Sequence, residues 1–326
     1  MASTVSYCRE AAQLSMSRQI QKLFSMLIPR ALPPEPNQVE SRLRHKHENT
    51  FGCEIRSYEE YQTRYRSLAA AIGKTDATAH PGELQHIRQL LSTRANPAGS
   101  LGLADCLFLA AFVSITRPLR MVEIGTGSGF SSALLASIMH LQRPNLHAPC
   151  VDTFDVQTMY FGDAKLPVGF EIPRLIPEFP ELVRVHAPGE SSLLGKLAHK
   201  NELELAFIDG NHQHPCVLLD LLRIVPYLRN GSWVLLHDIR LGTLVEESRN
   251  PGAPLPFEAV FGAEWLFNDW PWNKIAGGNI GAIRLPEQKK ALRSIAGRLM
   301  QRPLEVCELS YQRMYSEVRE ATRACR

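Results

Sequence analysis

From Arg120 onward the hydrophobic positions fall into short continuous runs, separated by longer stretches with helical spacing. The runs read as strands over 120–124, 149–155, 182–186, 204–209, 232–238 and 279–285. The stretches between and after them, at 129–142, 190–200, 214–228 and 286–300, read as helices. Strands that are apolar throughout and alternate with helices predict a parallel sheet covered on both faces. Upstream the spacing changes to helix alone. Leu14, Ile20, Leu23, Phe24 and Leu27 share one face within 1–30, and ALPPEPN at 31–37 breaks the chain. Helices are predicted again near 57–73, from HPGEL at 80–84 to Arg94 with Pro81 in its first turn, and over 102–116 after the loop NPAGS. The most apolar window, CLFLAAFVSI over 106–115, is too short to cross a bilayer and predicts a buried helix. The pattern divides the chain into a helical N-terminal region (1–95), an α/β domain (96–286) and a C-terminal helical extension (287–326).

Composition narrows the class without naming a function. With 326 residues, 44% hydrophobic and 21% charged, the chain is an ordinary globular protein able to bury a core. A formal charge of +3 does not argue for nucleic acid as a partner, and the basic patch Arg42, Arg44, His45, Lys46 and His47 is followed closely by acidic residues. The seven cysteines are scattered and contain no CxxC, which argues against a disulfide scaffold or a zinc knuckle and for a reducing compartment. The N-terminal segment MASTVSYCRE lacks a charged head followed by an apolar run. A cytoplasmic protein without a membrane partner is expected.

The chemistry is concentrated at 121–131, MVEIGTGSGFS: a β-branched strand, glycines at 125, 127 and 129, then a helix start. Such a turn lets the backbone approach a ligand closely. A dinucleotide fingerprint places glycines first, third and sixth, whereas here Phe130 stands sixth and Gly129 falls one residue early. Glu123, two residues before the first glycine, would repel a pyrophosphate and suits a ligand with an ammonium group and a cationic centre. The segment resembles motif I of the class I methyltransferases, which bind S-adenosylmethionine. That resemblance implies a Rossmann-like, doubly wound, mostly parallel seven-stranded sheet with helical N- and C-terminal additions. GGNIGAIRLP at 277–286 suits its closing antiparallel strand. A nicotinamide-linked dehydrogenase and a catalytically silent cofactor-binding protein are the rival readings.

In an open α/β sheet ligands gather beyond the carboxyl ends of the strands. Successive strands here end at Glu123, at Asp155, in APGES (187–191), at Asp209, and at His237–Asp238. The cofactor candidates are therefore Glu123 for the methionine ammonium, Gly125, Thr126, Gly127, Gly129 and Ser131 for the turn, Asp155 for the ribose hydroxyls, Gly189, Glu190 and Ser191 for the adenine edge, and Asp209. Gly129 is assigned to tight helix–strand packing. Bland alternatives stand beside these: Glu123 as a helix cap, Asp155 as a turn residue with Asp152 as its rival, and Glu190–Ser191 as a helix start.

Residues 202–240 carry IDGNH, a helix with Asp220, and LRNGSWVLLHD, and resemble the small-molecule O-methyltransferases related to macrolide-sugar and catechol O-methyltransferases. The resemblance spans roughly 100–286. It implies that Asp209 helps hold a divalent metal and that His212 is a general base, which a hydroxyl acceptor needs as the methyl group arrives. His212 can also be a helix-start residue, with His214 as N-cap and Pro215 in the first turn. His212, His214 and Cys216 do not make a zinc site, because no second pair of ligands follows. Metal-dependent relatives end strand five with adjacent oxygen ligands, whereas this chain has His237–Asp238. Asp209 and Asp238 are the candidate ligands for Mg2+, and His237 is a candidate second acid/base group. Trp265, Trp270 and Trp272, with Phe257, Phe261 and Phe267, form either an aromatic substrate wall or core. The expected reaction is O-methylation of a small molecule, a secondary metabolite or sugar, with residues 287–326 available for homo-oligomer contacts.

Overall fold

The computed structural model describes residues 55–95, 101–241, 261–302 and 308–325. The helix expected over 1–30, the break at 31–37, the basic patch at 42–47, the 96–100 loop and Phe257 lie outside the described residues. Among the described residues three helices lead into the sheet: α1 (Tyr58–Ala71), α2 (Glu83–Thr93) and α3 (Leu103–Thr116). A capping box starts α1, with the Glu60 amide donating to the Ser57 hydroxyl and the Glu60 carboxylate accepting from the Ser57 amide. Helix α3 is apolar around its circumference and is buried along nearly its whole length, as the sequence predicts.

Strands and helices then alternate: β1 (Met121–Ile124), α4 (Phe130–Gln142), β2 (Val151–Phe154), the single turn α5 (Ile172–Leu175), β3 (Val183–His186), β4 (Leu203–Ile208), α6 (Cys216–Ile224) and β5 (Leu228–Leu236). The chain closes with α7 (Gly262–Asp269), β6 (Lys274–Gly277), β7 (Ile280–Arg284), α8 (Leu292–Leu299) and α9 (Glu308–Ala324). One seven-stranded sheet has the order β3-β2-β1-β4-β5-β7-β6. Strands β1 to β5 pair in parallel, while β7 runs antiparallel to β5 and β6 antiparallel to β7. Strand order reverses between β1 and β4, so the ligand crevice of such a sheet lies over their carboxyl ends.

Alternation along each strand sorts two cores. Met121, Val151, Leu205, Phe207 and Leu235 face the layer built by α1 to α4. Val122, Ile124, Ala206, Ile208, Val234 and Leu236 face α6, α7, α8 and α9. Helix α9 joins that second core through Val318, and Cys325 just after it does so with its thiol toward the Leu222 carbonyl oxygen at 3.7 Å.

Several expectations shift. The late strand expected at 279–285 is a hairpin, because Gly278 turns at φ +64 and pairs Lys274–Gly277 against it. Segment 190–200 forms only a tight 3-10 run over Ser191–Lys196. The helix expected over 214–228 ends at Ile224, Pro226 lies in a 3-10 turn, and β5 begins earlier than expected, at Leu228. His214 does not cap α6: Pro215 takes the cap position, and His214 is buried edge-on against Trp265. The tryptophans belong to the core side of their two readings. Trp270 donates through Nε1 to the Arg284 carbonyl at 3.1 Å, and Arg302 lies over Trp265 at 4.9 Å.

Candidate active site

The glycine turn leaves β1 through a backbone that only glycine adopts comfortably, with φ +100 at Gly125. A Cβ there would sit 2.0 Å from the Asp209 carbonyl oxygen, so the β1 and β4 tips touch backbone to backbone. At Gly129 a Cβ would meet Ile172 Cγ1 at 2.7 Å. Its packing partner is therefore the Gly169–Ile172 turn and not a strand, which corrects the sequence expectation. That turn belongs to the long β2–β3 connection, which folds back over the glycines. The Gly169 amide donates to the Gly127 carbonyl at 3.0 Å, and the Ser128 hydroxyl donates to the fully buried Glu171 at 2.8 Å.

A cavity of about 730 Å³ opens over this turn and runs along the carboxyl ends of the strands. Its first half is lined by Gly125, Thr126, Gly127, Ser131 and Asp155, and then by Gly189, Glu190 and Ser191. Asp155 accepts from the Gly127 amide through Oδ2 at 2.9 Å and from the Gln157 amide through Oδ1 at 2.9 Å. Each carboxylate oxygen keeps a further acceptor site for a hydroxyl donor. Its rival Asp152 is buried on β2 in pairs with Arg120 at 2.7 Å and His186 at 2.9 Å, and does not line the cavity.

Glu123 stands apart. Its side chain falls on the Met121 face of β1, is fully buried, and accepts from the Ser132 hydroxyl, while Oε1 has no hydrogen-bond partner among the described residues. Burial pushes its carboxyl up to about 7, against the opposing pull of the Ser131, Ser132 and Thr153 hydroxyls. It does not line the cavity, and Gly129, not Glu123, occupies the N-cap of α4.

The second half gathers Asp209, His212, His237 and Asp238. His237 Nδ1 lies 2.8 Å from Asp209 Oδ1, and His212 Nε2 lies 3.3 Å from Asp238 Oδ2. Asp238 adopts φ +60, a strained conformation for a residue with a side chain, and accepts from the Asn279 side-chain amide. Burial opposes charging of His237, yet Asp209, Asp105 and Asp238 carry its pKa well above the ordinary imidazole value. Burial raises the Asp238 pKa, and the nearby His237 and His212 partly counter it. Ligand atoms of Asp209, His212 and Asp238 come within 4.8 Å of one another. Two carboxylates and an imidazole fit a divalent cation that accepts nitrogen beside oxygen better than they fit magnesium.

Several lining residues escaped the sequence reading: Asp105, Tyr160, Phe161, Asn279, Arg223 and Met314. Asp105 carried a signal, as the single acid of the otherwise apolar α3. Its Oδ1 accepts from the Asn279 amide at 2.6 Å, joining α3 to the β6–β7 turn. Asn279 and Met314 carried none, since both reach the cavity from elements far along the chain.

Residues 122–239 match the family model described as a methyltransferase domain. Among solved structures, the chain is similar to the O-methyltransferase TomG from Streptomyces achromogenes, involved in tomaymycin synthesis and in complex with S-adenosylmethionine. Identity is 17%, with 69% of this chain and 98% of that chain covered, at a TM-score of 0.42. It is similar also to the O-methyltransferase from Bacillus cereus in complex with S-adenosylhomocysteine, at 17% identity, 69% and 99% coverage, and a TM-score of 0.39. No curated protein sequence matches the chain.

Proposed function

We propose that the methyltransferase domain over residues 122–239 makes this chain an S-adenosylmethionine-dependent O-methyltransferase that acts on a small-molecule hydroxyl, in a secondary metabolite or sugar. The observation that carries the reading is one cavity shared by two sets of strand tips: the glycine turn and Asp155 on one side of the switch point, His212 and Asp238 on the other. The bound cofactor supplies an electrophilic sulfonium methyl group. Gly125, Thr126, Gly127 and Ser131 border its amino-acid portion, Asp155 takes the ribose hydroxyls, and Gly189, Glu190 and Ser191 meet the adenine edge. Glu123 balances the ammonium group from beneath the turn.

In the acceptor half, Asp238 Oδ2 lies 3.3 Å from His212 Nε2 and orients the ring by charge, which leaves Nδ1 as the basic atom for the hydroxyl proton. The carboxylates around His237 favour its charged form, which suits it to holding Asp209 more than to taking a proton. Most of the rate gain is positioning of the hydroxyl in line with the methyl group. A divalent cation is the second reading, favoured by the clustering of Asp209, His212 and Asp238. Those three would hold it, and it would acidify the acceptor hydroxyl.

Cytoplasmic location and a small-molecule partner, with neither nucleic acid nor membrane engaged, complete the proposal. Among the described residues the thiols of Cys106, Cys150 and Cys325 are free, which supports a reducing compartment. Among the described residues no helix is long and apolar enough to cross a membrane. Self-association through the C-terminal extension is part of the proposal and is checked by sedimentation. The decisive experiment incubates the protein with methyl-labelled S-adenosylmethionine and a panel of hydroxylated metabolites, with and without a chelator. Label in an ether product supports the reading, and retention of activity in chelator favours His212 over a metal. Tight cofactor binding with no transfer to any panel member, and no change on mutating His212, would favour a silent binding protein.

A further inference from the structure

The end of the cavity beyond Ser191 is closed by a part of the chain outside the α/β domain. Helix α9 contributes Arg313, Met314 and Glu317 to the lining, opposite Glu190, Asp220 and Arg223. Three observations make this a built contact. Arg223, on α6, donates to Glu317 Oε2 at 2.7 Å and reaches Glu190 Oε2 and Ser191 Oγ at 3.5 Å each, so one guanidinium ties the loop after β3 to α9. Arg313 in turn donates to Glu317 at 2.6 Å. Beneath them, the Ser191 hydroxyl donates to Asp220 at 2.6 Å, and Asp220 lines the same end. The helix is anchored independently of these contacts, because Val318 and Cys325 are buried in the core against α6.

We propose that α9 is an integral part of the cofactor site, with Met314 as the apolar wall against which the nucleobase packs and Arg223 as the positioning residue that holds wall and loop together. The inference rests on reading the cavity as an S-adenosylmethionine site, with Asp155 at the ribose and Glu190–Ser191 at the base edge. The chemistry suits the place. A flat heteroaromatic ring needs an apolar, polarisable face, and a thioether packs well against one. Polar partners for its edge are already present in Glu190, Ser191 and Asp220. The Arg223–Glu317 pair is partly shielded, with side-chain exposures of 19% and 23%, so it fixes distance better than a fully solvated pair would. Specificity for the nucleobase thus depends on a helix remote in sequence from the strands that bind the rest of the ligand.

The test is calorimetric titration of the full-length protein with S-adenosylhomocysteine and, separately, with adenosine. Met314→Ala weakens both ligands by the same factor, about tenfold, because only the shared nucleoside has lost a contact. Met314→Trp fills the wall and weakens both further. Arg223→Gln weakens both ligands, and Arg223→Lys restores part of the loss. The melting temperature of ligand-free Met314→Ala stays within about 2 °C of wild type, as expected for a residue at a cavity edge. Equal affinity of wild type, Met314→Ala and Arg223→Gln for both ligands would overturn the inference while leaving the cofactor reading intact. Failure of the wild-type protein to bind S-adenosylhomocysteine would overturn the cofactor reading itself, and is seen before any variant is compared.

Discussion

The two halves of the cavity are organised by different forces. Around β1 and β2 the ligand surface is backbone: positive-φ glycines, a carbonyl that a Cβ would strike, and a carboxylate positioned by the Gly127 and Gln157 amides. Around β4 and β5 it is charge: Asp209, Asp238 and Asp105 held against His237 and His212, with Asp238 in a strained conformation. The first half is shaped mainly by main-chain groups, which suits a ligand of constant shape. The second stores electrostatic potential in a confined space, which suits proton movement and an acceptor. Binding and chemistry should therefore separate cleanly under mutation.

The largest effect should come from breaking the backbone half. Gly125→Ala places a methyl group onto the Asp209 carbonyl and forces a strained φ, so cofactor binding is lost and stability falls by roughly 3 kcal/mol or more. Chemical denaturation together with titration of S-adenosylhomocysteine measures both. Next in size, His212→Gln strikes the charged half alone. Once an acceptor is found, kcat should fall by about a hundred- to ten-thousandfold while cofactor affinity holds within a factor of about two. A parallel loss of affinity would mean the halves are not separable.

Asp155→Ala removes the carboxylate proposed for the ribose and leaves the Gly127 and Gln157 amides without it. Affinity should weaken about ten- to a hundredfold, with any effect on kcat at saturation much smaller. The smallest effect concerns Glu123. Its folded pKa near 7 lies above the ordinary 4.5, so the folded chain keeps this proton longer than the unfolded chain does. The associated stabilisation is fully present below about pH 4.5 and is lost as pH rises toward 7. A bound ammonium group favours the ionised form, so affinity should rise with pH up to about 7, by less than about tenfold overall because the carboxylate does not line the cavity. Glu123→Gln should flatten that profile, and a flat wild-type profile would separate Glu123 from the ligand.

Much of this was legible in the residues because parallel strands announce themselves: apolar on both faces, then a polar residue where the strand leaves the sheet. Asp155, Asp209 and Asp238, which line the cavity, stand where such a pattern puts them, Glu123 lies off it, and the glycine spacing pointed away from a dinucleotide turn. What failed to show has physical causes. Strand β6 is four residues at a sheet edge containing a glycine, too short to display a period. The face that Glu123 takes follows from strand alternation, but its separation from the cavity depends on how α4 packs above it. Asp105 stood out only as the lone acid of α3, while Asn279 and Met314 reach the cavity through tertiary contacts between distant elements, which no local pattern encodes.

The central claim is that this cavity holds one S-adenosylmethionine. Equilibrium dialysis of the full-length protein against labelled S-adenosylmethionine tests it most directly. The account predicts one bound molecule per chain, displaced by S-adenosylhomocysteine and indifferent to nicotinamide dinucleotides. Absence of saturable binding, or displacement by a nicotinamide dinucleotide in place of S-adenosylhomocysteine, would contradict it.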